Sequence, residues 1–396
     1  MSAFRQTAAV AALNLRSIPT RLASSLVIII GIAGVVAVLI SVLAIAQGIR
    51  KAGAATGRDD RAVVMANGAG AESASSLSRE AVNAIVGAPE VSRTASGEAV
   101  ASAEPVIIVD VPLKNSGTGA NVALRGVGTF NGVLKPAFRI VAGRPFRPGL
   151  HELVVGRGAQ VQFRGLDIGD EIDLRNTRWH VVGTFSSDDD AHESEMMADA
   201  ATVLDAYRKT TVQSVTVLLG SADAFDRFRS SLTANRSLSV DVQRERDYFA
   251  AQSNNAVTII RVLAFAVGSI MGLGAFFAAL NTMYTVVGAR TVEIATLRAI
   301  GFGGGAVLAS VLIEAMALAF IGAALGTLLA WTVFQGDNIS ALNPGSFTQL
   351  VFHLSITPLV VAQGVILALA IGFVGGLLPA LRAARLPVAV GLRSTV

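Results

Sequence analysis

Four long stretches of the sequence carry almost no charge, and they constrain the fold more than any other feature. They are Leu22 to Ile49, Val262 to Ala289, Ala306 to Gly336 and Leu354 to Leu381. A helix needs ~20 apolar residues to cross a bilayer, so each stretch predicts one transmembrane helix. The first is too long and starts too far from the N-terminus for a cleaved signal peptide. With 52% hydrophobic and 15% charged residues, the whole composition is that of an integral membrane protein.

Residues 50–255 have, by contrast, the composition of a soluble domain without cysteine. Segments that alternate apolar and polar side chains indicate half-buried strands, and others have helical periodicity. The pattern predicts a mixed α+β domain, with one lobe and two lobes both left open. The predicted strands are 105–111, 121–127, 151–155, 170–174, 179–183 and 212–219, and the predicted helices are 198–209, 222–233 and 241–255.

Basic residues indicate which ends of the apolar stretches face the cytoplasm. The connection between the third and fourth stretches, around residues 338–352, contains no basic residue. The positive-inside rule therefore places both termini and the connection near residue 290 in the cytoplasm, and residues 50–255 outside. The charges suit anionic lipid headgroups rather than nucleic acid. The arginines at these edges are Arg16, Arg21, Arg290, Arg298, Arg382 and Arg385.

A charged island lies between the second and third apolar stretches. Glu293 and Leu297 are four residues apart and share a helix face, and Arg290 and Arg298 flank them. This spacing predicts a short helix on the membrane surface. Gly301 and the glycines 303–305 predict a hinge before the chain re-enters the bilayer.

Glu314 is the one charged residue inside the four stretches. An ionisable group in the bilayer is costly and points to function by default. It follows Ala306 by only ~12 Å of helix, however, which is near the cytoplasmic edge. There it could pair with Arg290 or Arg298, and the sequence leaves a coupling role and a packing role open.

The sequence contains no phosphate-binding loop, zinc-protease motif or nucleophile elbow. The acidic run 188–195 has carboxylates that could hold a divalent cation, but it lacks the ligand spacing of a calcium loop. A solvated turn is the favoured interpretation of this run. We therefore predict neither an enzyme nor a bound metal or cofactor in this chain.

The island and the tail resemble those of a known family. The island, Arg290-Thr-Val-Glu-Ile-Ala-Thr-Leu-Arg-Ala-Ile-Gly301, resembles the signature of FtsX-like permeases in the MacB/LolCDE/DevC group of ABC transporters. The tail, Leu378-Pro-Ala-Leu-Arg-Ala-Ala-Arg-Leu-Pro387, and the amphipathic start before Leu22 resemble the same group. Gly143-Arg-Pro-Phe and Val181-Val-Gly-Thr-Phe resemble a MacB-like periplasmic core. Asn281-Thr-Met-Tyr and Glu195-Met-Met-Ala-Asp resemble DevC-like permeases, which lack a fused ATPase domain.

The resemblance implies four transmembrane helices, with the α+β domain as a periplasmic core between the first and second, in a bacterial inner membrane. Its implied divisions are an elbow helix 1–21, membrane helices 22–49, 256–289, 306–336 and 354–381, a periplasmic domain 50–255 with stalk helices, a coupling helix and hinge 290–305, a periplasmic loop 337–353 and a cytoplasmic tail 382–396. The implied ATPase-coupling residues are Arg290, Glu293, Ile294, Leu297, Arg298, Ala299 and Gly301. The implied membrane-edge anchors are Arg16, Arg21, Pro379, Arg382 and Arg385.

The implied function is mechanotransmission by the permease subunit of an exporter. The expected partners are a separate ABC ATPase that binds ATP and Mg²⁺, a second permease chain, a MacA/DevB-like adaptor, a TolC-like outer-membrane channel and membrane lipids. Two alternatives share the architecture. One is FtsX-type signalling to cell-wall hydrolases, and the other is LolCDE-type extraction of lipoproteins, which a lipid-sized apolar groove at the membrane face would support. A membrane-anchored domain without an ATPase partner would leave the island unexplained.

Overall fold

The computed structural model describes residues 6–7, 10–12, 22–334, 338–342, 348–354 and 356–388. They divide between two compact units. The membrane unit comprises Met1–Ile45, Ile260–Gln335 and Ser355–Val396, and the outer unit comprises Ala46–Ile259 and Gly336–Leu354.

The named helices and strands follow one another along the chain with short connections. The helices are α1 (Leu22–Ala55), α2 (Arg79–Val86), α3 (Asn131–Leu134), α4 (Arg157–Gln162), α5 (Ala200–Ala206), α6 (Phe225–Ala234), α7 (Glu245–Ala289), α8 (Thr291–Ala299), α9 (Gly304–Phe334) and α10 (Pro358–Arg385). The strands are β1 (Arg61–Ala66), β2 (Ala101–Glu104), β3 (Val106–Pro112), β4 (Gly119–Val127), β5 (Arg139–Gly143), β6 (Glu152–Gly156), β7 (Glu171–Leu174), β8 (Thr177–Ser186), β9 (Met196–Asp199), β10 (Ser214–Leu218), β11 (Val240–Arg244), β12 (Asn338–Leu342) and β13 (Gln349–His353).

The membrane unit packs its helices through small residues. Within the described residues, α1, α7, α9 and α10 are long and apolar enough to cross a bilayer. A Cβ added at Gly326 of α9 would lie 2.5 Å from the Ala33 carbonyl of α1, and one at Gly372 of α10 would lie 2.5 Å from the Ala319 Cβ of α9. Side chains larger than glycine would separate these helices, because helices in lipid associate through close backbone contact.

The outer unit contains a four-stranded antiparallel sheet in the order β11-β1-β10-β2. Helices α2 and α6 cover one face, where Ile85 and Phe228 are fully buried against the strands. On the other face, Val63 and Met65 of β1 pack against Tyr248 and Phe249 of α7. The start of α7 is therefore part of the core of this sheet.

A larger mixed sheet in the same unit has the order β3-β4-β9-β6-β8-β5, with β7 also paired to β8. Its core contains Trp179, Phe163 and Leu124, all fully buried. Asp199 is the last residue of β9 and the N-cap of α5, where its side chain accepts a hydrogen bond from the Thr202 amide. The order leaves β3 at one edge.

These observations confirm the predicted fold class of four apolar helices with an α+β domain between the first two. Several local predictions were wrong. Residues 241–244 are strand rather than helix, because they pair with β1, and the predicted helix at 198–209 begins only at Ala200. The segment predicted as a loop at 337–353 contains the antiparallel pair β12–β13.

Candidate functional site

The helix α8 occupies the charged island of the sequence. Ile294 and Ala295 are buried in the membrane unit, whereas Glu293 and Ala299 are exposed and Leu297 is half-buried. Ile300, which follows the helix, is 68% exposed. An exposed face of α8 therefore runs through Glu293, Thr296 and Ile300, at the spacing of one helix face.

Arg290 lies at the start of α8 and is buried between two carboxylates. Its Nη1 is 3.3 Å from Glu314 Oε2, and its Nε is 2.9 Å from Glu293 Oε2. Glu314 is only 4% exposed, in the core of the membrane unit. Of the two arginines that the sequence offered for Glu314, Arg290 is thus the partner in the structure. The pair ties α8 to α9.

Arg298 points to the end of α10 rather than to the open face of α8. Its Nη1 donates a hydrogen bond to the Leu386 carbonyl, just beyond that helix. Arg382 lies over the Tyr284 ring at 5.6 Å, and both Arg382 and Arg385 belong to the last turn of α10. Pro379 is buried inside α10, where it removes one helical hydrogen bond.

The predicted hinge of four glycines is shorter in the structure. Gly301 has φ +100°, a left-handed conformation that favours glycine, but the glycines at 304 and 305 are already helical. The break between α8 and α9 is thus confined to residues 300–303. Arg16, Arg21 and most of the predicted elbow helix lie outside the described residues.

Sequence reasoning missed a buried cluster of charges in the outer unit. Arg125 of β4 is 2% exposed and uses all five of its N–H groups, each to a carboxylate oxygen, at 2.7 to 2.9 Å. The acceptors are Glu72, Glu104 and Glu195. Glu104 is the last residue of β2 in the four-stranded sheet, and Glu72 lies in the short turn after β1. Arg125 belongs to β4 of the larger sheet, and Glu195 directly precedes its strand β9. Arg125 therefore joins the two sheets.

Two further basic side chains contact the carboxylates of this cluster. Lys135 Nζ is 2.9 Å from Glu104 Oε1, and His192 Nδ1 is 3.1 Å from Glu195 Oε2. Burial alone would raise the pKa of Glu104, but the charges of Lys135 and Arg125 lower it to about 2. The same competition, won by Arg125 and His192, lowers the pKa of Glu195. These carboxylates are held in their charged form.

The acidic run 188–195, predicted as a solvated turn, is largely buried from Asp190 onward. Asp190 accepts hydrogen bonds from Ser187 and from the His192 amide, and Glu193 accepts from Ser186 and Ser187. The prediction was wrong because these carboxylates accept from protein donors at the end of β8 and within the turn itself. Among the described residues, no group of three or more His, Asp or Glu side chains could hold a metal ion.

Residues 191–195, which we call the junction turn, contact chain segments that lead to the membrane helices. The Ala191 amide donates to Thr56 Oγ1 at 2.9 Å, directly after α1. The Val351 amide, in the connection between α9 and α10, donates to Ser194 Oγ at 2.8 Å. The His192 ring meets the Phe249 ring of α7 edge-on at 5.4 Å. The sequence did contain one signal for the buried charge cluster, because Arg125 is the single charged residue in the otherwise apolar strand segment 122–127.

Comparisons with known proteins agree with this architecture. The model of the MacB-like periplasmic core domain matches residues 25–235, and the model of the FtsX-like permease C-terminal matches residues 265–388. No curated protein matches the chain.

Solved structures of outer domains are similar to part of the chain. The extracellular domain of the noncanonic ABC-type transporter YknZ from Gram-positive bacteria is 15% identical, with 46% of this chain and 99% of that chain covered, at a TM-score of 0.35. The periplasmic region of MacB from Actinobacillus actinomycetemcomitans is 14% identical, with 52% and 94% covered, at 0.35. A domain of a putative permease from Porphyromonas gingivalis is 9% identical, with 47% and 87% covered, at 0.29.

The two family matches together define a class of multi-pass membrane proteins with a periplasmic domain. The chain belongs to the FtsX/MacB family of ABC transporter permeases.

Proposed function

We propose that this permease works by mechanotransmission, in which a separate ATPase subunit drives movement of the outer unit and substrate leaves from the periplasmic side. In this proposal both termini and α8 are cytoplasmic, the membrane is the bacterial inner membrane, and the chain itself catalyses no reaction. A second permease chain, an adaptor and an outer-membrane channel complete the exporter.

The junction turn is the observation that carries this proposal. Its three contacts, to Thr56, Phe249 and Val351, reach the chain beside α1, within α7 and between α9 and α10. Its last residue, Glu195, is bonded to Arg125, which joins the two sheets. A displacement of the stalk segments would therefore reach both sheets through one short turn. Packed cores transmit such displacements because they have little free volume to absorb them.

The exposed face of α8 supports a contact with the ATPase. Ile300 is a large apolar side chain beside exposed Glu293 and Thr296, and a partner that covered it would gain from its burial. Arg298 has a positioning role in this proposal and is not itself a contact residue. Its guanidinium is bonded to the Leu386 carbonyl, which ties α8 to the end of α10. The proposed contact residues are thus Glu293, Thr296 and Ile300, with Leu297 at the margin.

Spin labels offer a direct test, because the sequence has no cysteine. A single label at Ser230→Cys, on the exposed side of α6, would report the distance between the two copies in the purified complex with its ATPase. We expect this distance to change between nucleotide-free and ADP-vanadate states. Thr56→Val combined with Ser194→Ala should abolish the change while ATP hydrolysis continues.

Ser116→Ala is the matched control, since Ser116 bonds only within an exposed loop. It should leave the change in distance intact. A wild-type complex whose distance is the same in both nucleotide states would refute mechanotransmission, as would a normal change in the Thr56/Ser194 double variant.

A second candidate, extraction of a lipid or lipoprotein, is supported by an apolar groove in the membrane unit. The groove has a volume of about 790 Å³ and lies between the last turns of α9 and the first turns of α10. Leu328, Trp331 and Ile366 are among its lining residues. Its size and apolar walls fit acyl chains.

Filling the groove separates the two candidates. Ala362→Trp would occupy it from α10, where Ala362 is exposed. If the chain extracts lipoproteins, this variant should release less lipoprotein from proteoliposomes in the presence of ATP, while the nucleotide-dependent distance change persists. Unchanged release would exclude the groove as the acyl site.

A further inference from the structure

The strand β3 forms one edge of the larger sheet, and its outward hydrogen-bonding groups can be assigned from the structure. Gly126 donates to the Pro105 carbonyl, and Leu113 donates to the Thr118 carbonyl. In an antiparallel pair the bonded residues alternate, so residues 107, 109 and 111 bond to β4. The backbone groups of residues 106, 108, 110 and 112 therefore point away from the sheet.

Both ends of this outward row already have partners. The Val106 amide donates to Gln213 Oε1 at 2.9 Å, and the Pro112 carbonyl accepts from the Arg164 amide at 2.8 Å. Leu113 also forms an isolated bridge with Phe163. Between these ends lie Ile108 and Asp110, whose outward amide groups donate to no other residue that the structure describes. This stretch from residue 107 to 111 is the open edge.

A groove of about 580 Å³ runs along the open edge and is lined by residues 106–110 of β3. Tyr207, 5% exposed, lines it from the end of α5, and its hydroxyl has no hydrogen-bond partner within the described ranges. Burying a hydroxyl without a hydrogen-bond partner costs free energy, so this hydroxyl indicates a place where a polar group of a ligand could form the hydrogen bond.

The charges beside Tyr207 indicate what that group is. Arg175 lies over the Tyr207 ring at 5.7 Å, and Lys209 lines the same groove. Neither cation forms an ion pair within the described parts of the chain, whereas the nearby Asp173 is 3.7 Å from Arg178. An acceptor with negative charge suits this position.

We propose that the open edge of β3 binds an extended polypeptide segment of about five residues by strand addition, with an acidic side chain of the segment bound by Tyr207, Arg175 and Lys209. The amides of Ile108 and Asp110 donate to the backbone of the bound segment, and their carbonyls accept from it. The capped ends at Val106 and Pro112 limit its length. All residues of this site belong to the outer unit, and none of them belongs to the proposed ATPase contact.

Binding of a defined peptide to the full chain in detergent tests the proposal. The probe is a fluorescent pentapeptide, Thr-Val-Glu-Val-Thr, with both ends blocked, compared with its backbone N-methylated form and with Thr-Val-Lys-Val-Thr. We expect the first peptide to bind roughly fivefold or more tightly than either of the others, because each comparison removes hydrogen bonds or charge pairing. Tyr207→Phe should weaken binding of the Glu peptide by roughly fivefold.

Ile108→Pro removes one outward amide without breaking the β3–β4 pairing, since that amide does not bond to β4, and proline is tolerated on edge strands. It should weaken binding by roughly fivefold, while Ile108→Val, which keeps the amide, should not. An unchanged melting temperature of both variants shows that the sheet is intact. Equal binding of the N-methylated peptide, or wild-type affinity in Ile108→Pro, would overturn the proposal. So would concentration-dependent self-association that Ile108→Pro abolishes, because the edge would then bind a second copy of the chain.

Discussion

Arg290 and Glu314 form a buried ion pair, 3.3 Å apart, that ties the short helix α8 to the membrane-spanning helix α9. The two residues are 24 positions apart in the chain. The pair explains how a charge inside an apolar stretch can be tolerated, because each member compensates the other and Glu293 supplies a third charge.

Removing one member of this ion pair should lower the free energy of unfolding more than replacing both members with apolar residues. Glu314→Leu removes the buried carboxylate that faces the Arg290 guanidinium from α9, and we expect a loss of about 3 kcal/mol in the free energy of unfolding. The double variant Arg290→Leu/Glu314→Leu should recover much of that loss. Thermal unfolding of the full chain in detergent, completed as a double-mutant cycle, measures the coupling. Additive effects of the two changes would show that the pair is not formed.

Arg298 and Ile300 should differ in what their substitution disturbs. Arg298→Ala removes the donor to the Leu386 carbonyl, so amide exchange near residues 383–386 should become faster. Ile300→Ser removes only an exposed side chain and should leave exchange unchanged. If α8 is the ATPase contact, Ile300→Ser should nevertheless reduce co-purification of the ATPase subunit. If the ATPase subunit co-purifies fully with the Ile300→Ser variant, Ile300 is not part of the contact with the ATPase.

Lysine should not replace Arg125. The ammonium group has three donors and no planar fork, so it cannot serve the three carboxylates that share the five guanidinium N–H groups. We expect Arg125→Lys to lower the free energy of unfolding of the outer unit by about 3 kcal/mol. Arg178→Lys is the matched control, since its ion pairs are exposed and it should change stability by less than about 0.5 kcal/mol. Equal effects of the two variants would contradict the role of Arg125.

Acid should destabilise the outer unit through Glu104. Its pKa is about 2 in the folded protein and 4.5 as the ordinary value, so its charged form is favoured by folding. The stability that it contributes is present above pH 4.5 and is lost as the pH falls toward 2. The melting temperature of the wild type should therefore fall over this range. Glu104→Gln should melt lower at neutral pH but show a smaller decline, and an identical decline would mean that other groups cause it.

The membrane helices could be predicted from the sequence because length and lack of charge are sufficient for a helix in lipid. Alternation also located strands such as β4 and β8. It could not give the order of the strands within each sheet. Alternation shows which residues of a strand share a face, but it does not show which strand is the neighbour. Residues 241–244 illustrate this limit, because they form a strand by pairing with β1, a segment about 180 positions earlier that their own sequence does not identify.

The candidate site was less accessible to sequence reasoning. The short helix α8 followed from its local spacing, but its exposed face did not, because burial of Ile294 and the bond of Arg298 to Leu386 depend on distant segments. The acidic run was misinterpreted for the same reason. Glu195 directly precedes β9 and is bonded to Arg125, which lies 70 positions earlier in the chain on the neighbouring parallel strand β4.

The bonding of Arg125 also bears on how the outer unit unfolds. Each of its three carboxylates is carried by a different segment: Glu104 ends β2 of the four-stranded sheet, Glu72 lies in the turn after β1, and Glu195 directly precedes β9 of the larger sheet. Opening either sheet alone would leave charges in a dry interior without partners, which is strongly unfavourable. The two sheets should therefore melt together as one cooperative unit, with a single calorimetric transition in place of the two that separate lobes would give.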